Sequence, residues 1–191
     1  MKKGHQLGFP LVLKIVSPQI SHKSDVGGVI LNIKNENELK RGYKNLINQV
    51  SKNKPTANIL GAVVEKMLPP SIELIVGGIK DSQFGPCVMF GMGGIFAEVY
   101  DDVAFRVAPL DEIDISILID EIKGSKILKG FRGKPPMDRD SIVKILLNVS
   151  SLMMKHDEIS QLDLNPVIVY PNSAVAADSR IVLKQTNGGH E

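Results

Sequence analysis

Apolar residues recur along the chain in short runs separated by polar and glycine-rich stretches, and the spacing within each run indicates an element. Phe9–Val16 is almost continuously apolar, as a buried strand would be, and Gly28–Ile33 alternates like a second strand. From Glu36 to Ser51 the apolar positions Leu39, Tyr43, Leu46, Ile47 and Val50 follow helical spacing. Ile59–Met67 and Ile72–Ile79 predict strands on either side of a Leu68-Pro69-Pro70-Ser71 turn, since proline cannot donate to a ladder. Asp81–Pro86 predicts a further turn, followed by a strand Cys87–Phe90 that Gly91-Met92-Gly93-Gly94 should break. Val103–Ala108 predicts one more strand.

Downstream the period lengthens. Asp111–Ile122 carries a candidate Asp N-cap and apolar residues at Ile115, Leu118, Ile119 and Ile122. Asp138–Lys155 places Ile142, Ile145, Leu146, Val149, Leu152 and Met153 on one helix face. A basic loop, Lys126 to Pro136 (KILKGFRGKPP), lies between them. Ser160–Tyr170 and Ala174–Leu183 predict a closing strand pair, and the tail after Lys184 is polar and expected to fray. Strands interleaved with a few helices indicate an α+β fold rather than a regular βαβ alternation.

Composition adds limits rather than a function. The 191 residues, 43% hydrophobic and 23% charged, are those of an ordinary globular chain. A chain of this size buries roughly 70% of its unfolded surface, so a sizeable core is expected. A net charge of +2 supplies no general attraction to nucleic acid or to acidic membranes, so anion binding must be local. Cys87 is the only cysteine and sits in the apolar run PCVMF. It excludes an intramolecular disulfide, favours a reducing compartment, and reads as inert core rather than a nucleophile. No apolar run approaches a membrane-spanning length and no signal pattern follows Met1-Lys2-Lys3, so the chain is expected to be cytoplasmic.

Three groups of residues carry candidate chemistry. Lys14 interrupts an apolar strand, and a buried ammonium needs an anionic partner. Gly27-Gly28 follows thirteen residues on, where side-chain-free backbone can present N–H groups. Together they form either a phosphate clamp or a tight hairpin with an edge lysine; no GxxxxGK[ST] loop occurs. At the other end, Asp163-Leu164-Asn165 sets two oxygen donors on one strand face, with Asp178 following on the next strand. Such donors suit Mg²⁺, and they equally suit a plain turn before Pro166. Glu65 and Glu73 flank the Pro-Pro turn; in a nucleotide site their carboxylates could accept from an adenine amino group and ribose hydroxyls, whereas as isolated exposed glutamates they carry no chemistry.

Several longer stretches carry a family resemblance: LKIVSPQISHKSDVGGV, IELIVGGIKDSQFGPCVMFGMGGIFAEVYDDVAFRVAPL, KGFRGKPP and QLDLNPVIV. From about Gly8 to Leu183 the chain resembles the ATP-grasp β subunit or domain of ADP-forming acyl-CoA synthetases, including the archaeal acetyl-CoA synthetases. The resemblance implies two α+β lobes holding Mg-nucleotide (ATP or ADP with Mg²⁺) between them, here divided as 1–66 and 67–191. It implies that Lys14 contacts phosphates beneath the Gly27-Gly28 loop. It also implies that Glu65, Lys66, Met67 and Leu68 form the hinge facing adenine, with Glu73 toward the ribose. Asn165 and Asp178 would hold Mg²⁺, and Arg106 would meet phosphate.

The same resemblance explains why His22-Lys23-Ser24-Asp25 interrupts two core strands. In the family this loop histidine is phosphorylated and carries the phosphoryl group between two active sites, so His22 is the expected carrier. Imidazole is nucleophilic near neutral pH, which suits that task. Asp163 is a second candidate catalytic residue, orienting the imidazole when the loop swings in. Lys129, Arg132 and Lys134 are expected to meet phosphates or a partner, or simply water, while His5, His156 and His190 are expected at the surface. Family members begin with a further strand and helix, so the first lobe is expected to be shortened at its N-terminus, with an apolar patch exposed near Phe9–Val12.

The implied activity is ATP formation from ADP as one subunit of an acyl-CoA ligase. A separate CoA-binding α subunit would convert acyl-CoA to acyl phosphate. The alternative is an inactive or truncated nucleotide-binding or regulatory subunit. A protein acetyltransferase fusion ranks lower still, because no acetyltransferase segment is present. Neither nucleic acid nor membrane is an expected partner.

Overall fold

The computed structural model describes residues 7–94 and 102–184, so His5, His190 and the tail beyond Lys184 lie outside the described residues. The chain divides into two compact units, Met1–Pro69 and Pro70–Glu191. The sequence suggested a boundary after Lys66. Met67 stays with the first unit because its N–H donates to the Pro10 carbonyl at 3.0 Å, and the division falls inside the Pro-Pro turn.

The first unit is a three-stranded antiparallel sheet in the order β2-β1-β3, with β1 Leu11–Val16, β2 Val29–Ile33 and β3 Gly61–Lys66. Helix α1, Glu36–Asn53, starts at Asn35, whose side chain accepts from the Glu38 N–H. Its apolar face (Leu39, Leu46, Ile47, Val50) packs on Leu11, Leu13, Ile15 and Ile33. Leu11 and Val12 are buried and Phe9 is half-buried, so the expected exposed patch is absent. Leu11 packs under the helix in the core of this unit.

The second unit holds a six-stranded sheet in the order β6-β5-β4-β7-β8, with β9 also pairing to β7. These strands are β4 Ile72–Asp81, β5 Gly85–Met92, β6 Val103–Val107, β7 Ile159–Tyr170, β8 Ser173–Ala176 and β9 Ser179–Leu183. Strand β5 runs on through Gly91 and Met92, which the sequence assigned to a break. A glycine suits that position because a Cβ there would lie 2.6 Å from the Asp102 carbonyl oxygen, just before the neighbouring strand β6. The expected closing strand splits into β8 and β9 around Ala177-Asp178, so Asp178 lies between strands rather than on one.

Helices α2, Glu112–Glu121, and α4, Arg139–Lys155, cover one face of this sheet, joined through the short α3, Ser125–Leu128. Helix α3 occupies the start of the segment expected to be a basic loop. Asp111 and Asp138 cap α2 and α4, each accepting backbone N–H groups of the first turn. The core under the helices combines Leu74, Val76, Val88, Phe90 and Leu162 with Leu118, Ile119, Leu146 and Met153. No helix among the described residues is long and apolar enough to cross a membrane.

Phe90 is fully buried at the centre of this core, so Phe90→Ala should lower stability by about 3–5 kcal/mol. Urea unfolding followed by far-UV circular dichroism measures it, and a loss under about 1 kcal/mol would contradict the packing described.

Candidate functional site

In the first unit, Lys14 lies on the sheet face that α1 does not cover. The register pairs it with Val63, and Glu65 sits two residues further along β3 on the same face. The Lys14 ammonium and Glu65 Oε2 form an ion pair at 2.5 Å, with 13% of the lysine side chain exposed and 45% of the glutamate. Strand alternation thus joins two residues that the sequence assigned to different tasks. Lys66 is exposed, and Met67 and Leu68 are half-buried in the segment leaving β3.

The loop carrying His22 leaves β1 at Ser17 and returns at Gly28. It is anchored at both ends, with Ile20 and Val26 buried in the first unit's core. Asn53 Nδ2 donates to the Val26 carbonyl at 3.1 Å, and the Asn58 N–H donates to Gln19 Oε1 at 3.0 Å. Between these anchors His22 is exposed. A 3-10 turn, Ser24–Val26, closes the loop, and Gly27 follows at φ +70°, donating to the Ser24 carbonyl at 3.0 Å.

Gly28 donates to the Lys23 carbonyl at 2.7 Å, and its own carbonyl accepts from the Ile15 N–H at 2.8 Å. Both glycine N–H groups are therefore used inside the loop, unlike the free phosphate-facing pair that the sequence suggested. The glycines are required by shape: a Cβ on Gly28 would lie 2.6 Å from Ile15 Cγ2 and 2.7 Å from the Lys23 carbonyl.

In the second unit, Glu73, Asp163 and Asn165 share the sheet face opposite the helices. Glu73 pairs with Ile168 on β7, and Asp163 lies between Gly77 on β4 and Arg180 on β9. Against β4 the register steps from Leu74↔Val167 to Val76↔Leu164, so Asn165 and Pro166 together face Ile75 alone. This is a β-bulge, and it coincides with the β8/β9 break on the other side of β7. There the Asn165 N–H donates to the Asp178 carbonyl at 3.3 Å, and the Ala177 N–H donates to Pro166 at 2.8 Å. Asp178 Oδ1 accepts from the Ser179 N–H at 3.0 Å.

Bulge and break thus bring Asn165 and Asp178 together at one edge. No cluster of three or more His, Cys, Asp or Glu among the described residues forms a self-sufficient metal cage. One carboxylate and one amide oxygen are the sparse hard-donor set that Mg²⁺ accepts when phosphate oxygens complete its shell. The residues fit the ion.

Arg106 does not join this group. It aligns with Val88, whose side chain is fully buried under the helices, and its guanidinium pairs with Glu121 of α2 and the Phe105 carbonyl. Its face is fixed by strand alternation, which the motif FRVAPL alone does not reveal. Cys87 is buried, and burial pushes its thiol pKa up, with Asp81 adding to the shift, which keeps it protonated. His156 is exposed and meets Glu158 Oε1 at 2.9 Å.

Sequence inspection missed a cluster on α2 and α4. Asp120 pairs with Lys129 at 3.0 Å and with Arg139 at 3.0 Å, and Arg139 also donates to the Ser116 hydroxyl and carbonyl. They line a cavity of about 440 Å³ together with Leu128, Pro136, Met137 and Ile142. Lys129, with Arg139 behind it, holds the Asp120 carboxyl below its usual pKa. The pairing links residues 19 positions apart and has no short-range signature.

Comparison with known proteins gives consistent matches. A family model described as "ATP-grasp domain" matches residues 1–183. The chain is 45% identical over 183 residues to the acetate–CoA ligase (ADP-forming) I subunit beta of Pyrococcus furiosus, covering 96% of this chain and 79% of that one. A Ca. Korarchaeum cryptofilum dinucleotide-forming acetyl-coenzyme A synthetase 1, solved with coenzyme A, Ca-AMPCP and HgCl⁺, superposes with TM-score 0.92 at 48% identity. That match covers 96% of this chain and 80% of that one. The same synthetase was also solved with coenzyme A and Mg-AMPPCP, its phosphohistidine segment pointing towards the nucleotide binding site. It matches with TM-score 0.82 and 44% identity over 96% of this chain and 80% of that one.

Gly28→Ala should destabilise by about 1–3 kcal/mol, because its new Cβ meets a strand side chain and a backbone carbonyl; urea unfolding reads this directly. Asp120→Asn should cost less than about 1 kcal/mol near neutral pH, since all three partners are solvent-accessible. The Asp120 pKa is lower folded than unfolded, so its contribution is present above about pH 4 and lost as pH falls through the native value. The difference in urea midpoint between wild type and Asp120→Asn should therefore narrow on acidification; a constant difference would contradict the pairing.

Proposed function

We infer the function from one premise: the chain belongs to the ATP-grasp domain family. On that premise it is the nucleotide-binding β subunit of an ADP-forming acyl-CoA synthetase, an acid–CoA ligase acting with a CoA-binding α subunit. The supporting observation is an exposed His22 on a loop whose two ends are anchored in the core, in a chain 44% identical to a synthetase solved with its phosphohistidine segment turned to the nucleotide. The two units stand as the two lobes of the fold, with residues 1–69 supplying the first.

The chemistry then balances as follows. The partner converts acyl-CoA and phosphate to acyl phosphate and CoA. An imidazole nitrogen attacks the phosphorus, a P–N bond forms, and the P–O bond to the acyl group breaks to release the carboxylic acid. His22 carries the phosphoryl group. The terminal phosphate oxygen of ADP then attacks the same phosphorus, breaking the P–N bond and giving ATP and free imidazole.

Mg²⁺, when bound, neutralises phosphate charge; Asn165 and Asp178 would hold it. Lys14 contributes an ammonium to the phosphates, and Glu65–Leu68 and Glu73 face base and ribose. Asp163 orients the imidazole in the swung-in state, lowering the disorder of the transfer geometry. Arg106 is bound to Glu121 on the helix side of the sheet. The single buried thiol accords with a cytoplasmic setting.

Incubation with Mg²⁺ and γ-labelled ATP should leave an acid-labile, base-stable label on the wild-type chain and none on His22→Ala. Label surviving in the variant would overturn the assignment of His22. Nucleotide binding without label, even after the CoA-binding subunit is added, would favour a purely binding or regulatory role.

A further inference from the structure

Both legs of the loop that presents His22 are tied to one short stretch of chain, Asn53 to Asn58. The leg leaving β1 is held through Gln19, whose Oε1 accepts from the Asn58 N–H at 3.0 Å and from the Ser17 hydroxyl at 3.3 Å. The leg returning to β2 is held through Asn53, whose Nδ2 donates to the Val26 carbonyl at 3.1 Å. Gln49, one turn before Asn53 on α1, lies against the same leg: a Cβ on Gly27 would come within 2.4 Å of its Nε2. The base of this arrangement is itself fixed. The Lys54 N–H donates to the Val50 carbonyl at 2.8 Å and the Ala57 N–H to the Lys54 carbonyl at 3.1 Å, while Ala57 and Ile59, on either side of Asn58, pack on the core.

Gln19 and Asn53 are exposed. An exposed amide has water as an alternative partner and gives up rotamer freedom to hold a fixed one, so these bonds add little to the stability of the unit. What they constrain is the loop. Only Ser21 and His22 separate the buried Ile20 from Lys23, whose carbonyl accepts from the Gly28 N–H at 2.7 Å. A shift of either leg therefore passes to the imidazole with almost no chain to absorb it.

We propose that Gln19 and Asn53 are positioning residues for phosphoryl transfer: they clasp the two legs of the loop to the end of α1 and set where the His22 imidazole stands. This rests on the reading of His22 as phosphoryl carrier above. Neither residue touches the reacting atoms, and neither is among those assigned to the nucleotide. The imidazole nitrogen must meet phosphorus at close range and in line with the departing oxygen, so a loop released at one leg spends less time in the productive geometry.

The test is single-turnover labelling of this chain from γ-labelled MgATP, in complex with the CoA-binding subunit, beside calorimetric titration with MgADP and urea midpoints. In this direction an imidazole nitrogen attacks the γ-phosphorus, a P–N bond forms and the P–O bond to ADP breaks. Gln19→Met keeps the side-chain length and removes the acceptor; Asn53→Ala removes the donor. Each should slow labelling on the order of tenfold, with MgADP affinity and urea midpoint close to those of wild type. Gln19→Glu returns an oxygen to both donors and should bring the rate to within about threefold of wild type.

Labelling at the wild-type rate in either Gln19→Met or Asn53→Ala would overturn the positioning role and leave the carrier reading intact. So would slow labelling that Gln19→Glu does not rescue, or that accompanies matching losses of MgADP affinity and urea midpoint, since a merely structural contribution produces those. Wild type that takes no label overturns the carrier reading and this inference with it.

Discussion

A strand that buries one face beneath a helix must send every second side chain the other way, and both units of this chain are organised by that rule. In the first, Leu11, Leu13 and Ile15 meet α1, so Lys14 is turned to the opposite face, where Glu65 receives it. In the second, Val76, Val88 and Leu162 pack under α2 and α4, which sends Glu73 and Asp163 to the uncovered face. The hydrophobic core therefore sets the position of the polar chemistry indirectly. A one-residue slip in either sheet would bury the charges and expose the core, so register and site are a single constraint.

Departures from regular alternation do the remaining positioning. The bulge at Asn165-Pro166 and the gap between β8 and β9 meet on either side of β7, and their backbone bonds close on each other. Without the bulge, Asn165 would continue the ladder; with it, the Asn165 and Asp178 backbones meet beside β7. The Gly27-Gly28 pair acts in a comparable way. Gly27 supplies a left-handed turn and Gly28 a close approach to Ile15, which together return the chain to β2 and leave His22 projecting from an anchored loop.

These features bear on how a carrier loop can move while its fold stays put. Ile20 and Val26 are core residues, whereas His22 between them is exposed. Motion confined to the short segment between the anchors disturbs little buried area, which keeps its cost low. The Lys14–Glu65 pair belongs to the sheet, so the loop and sheet parts of the proposed site are separated along the chain.

Much of this was legible in the amino-acid order. Apolar spacing located nearly every strand and helix, Asp111 and Asp138 announced their helix starts, and the motifs around HKSD and LDLNP pointed to the family. These are local signals, carried by residues a few positions apart. What the order could not state was which charges meet. The pairing of Lys14 with Glu65, of Arg106 with Glu121, and of Asp120 with Lys129 and Arg139 depends on strand register and helix docking across long separations. The same holds for the break that removed Asp178 from a strand and for the internal use of both glycine N–H groups. Local sequence determined the elements and the residues able to do chemistry; tertiary packing decided the partners of each charge, because facing and register are properties of whole sheets and not of any single strand.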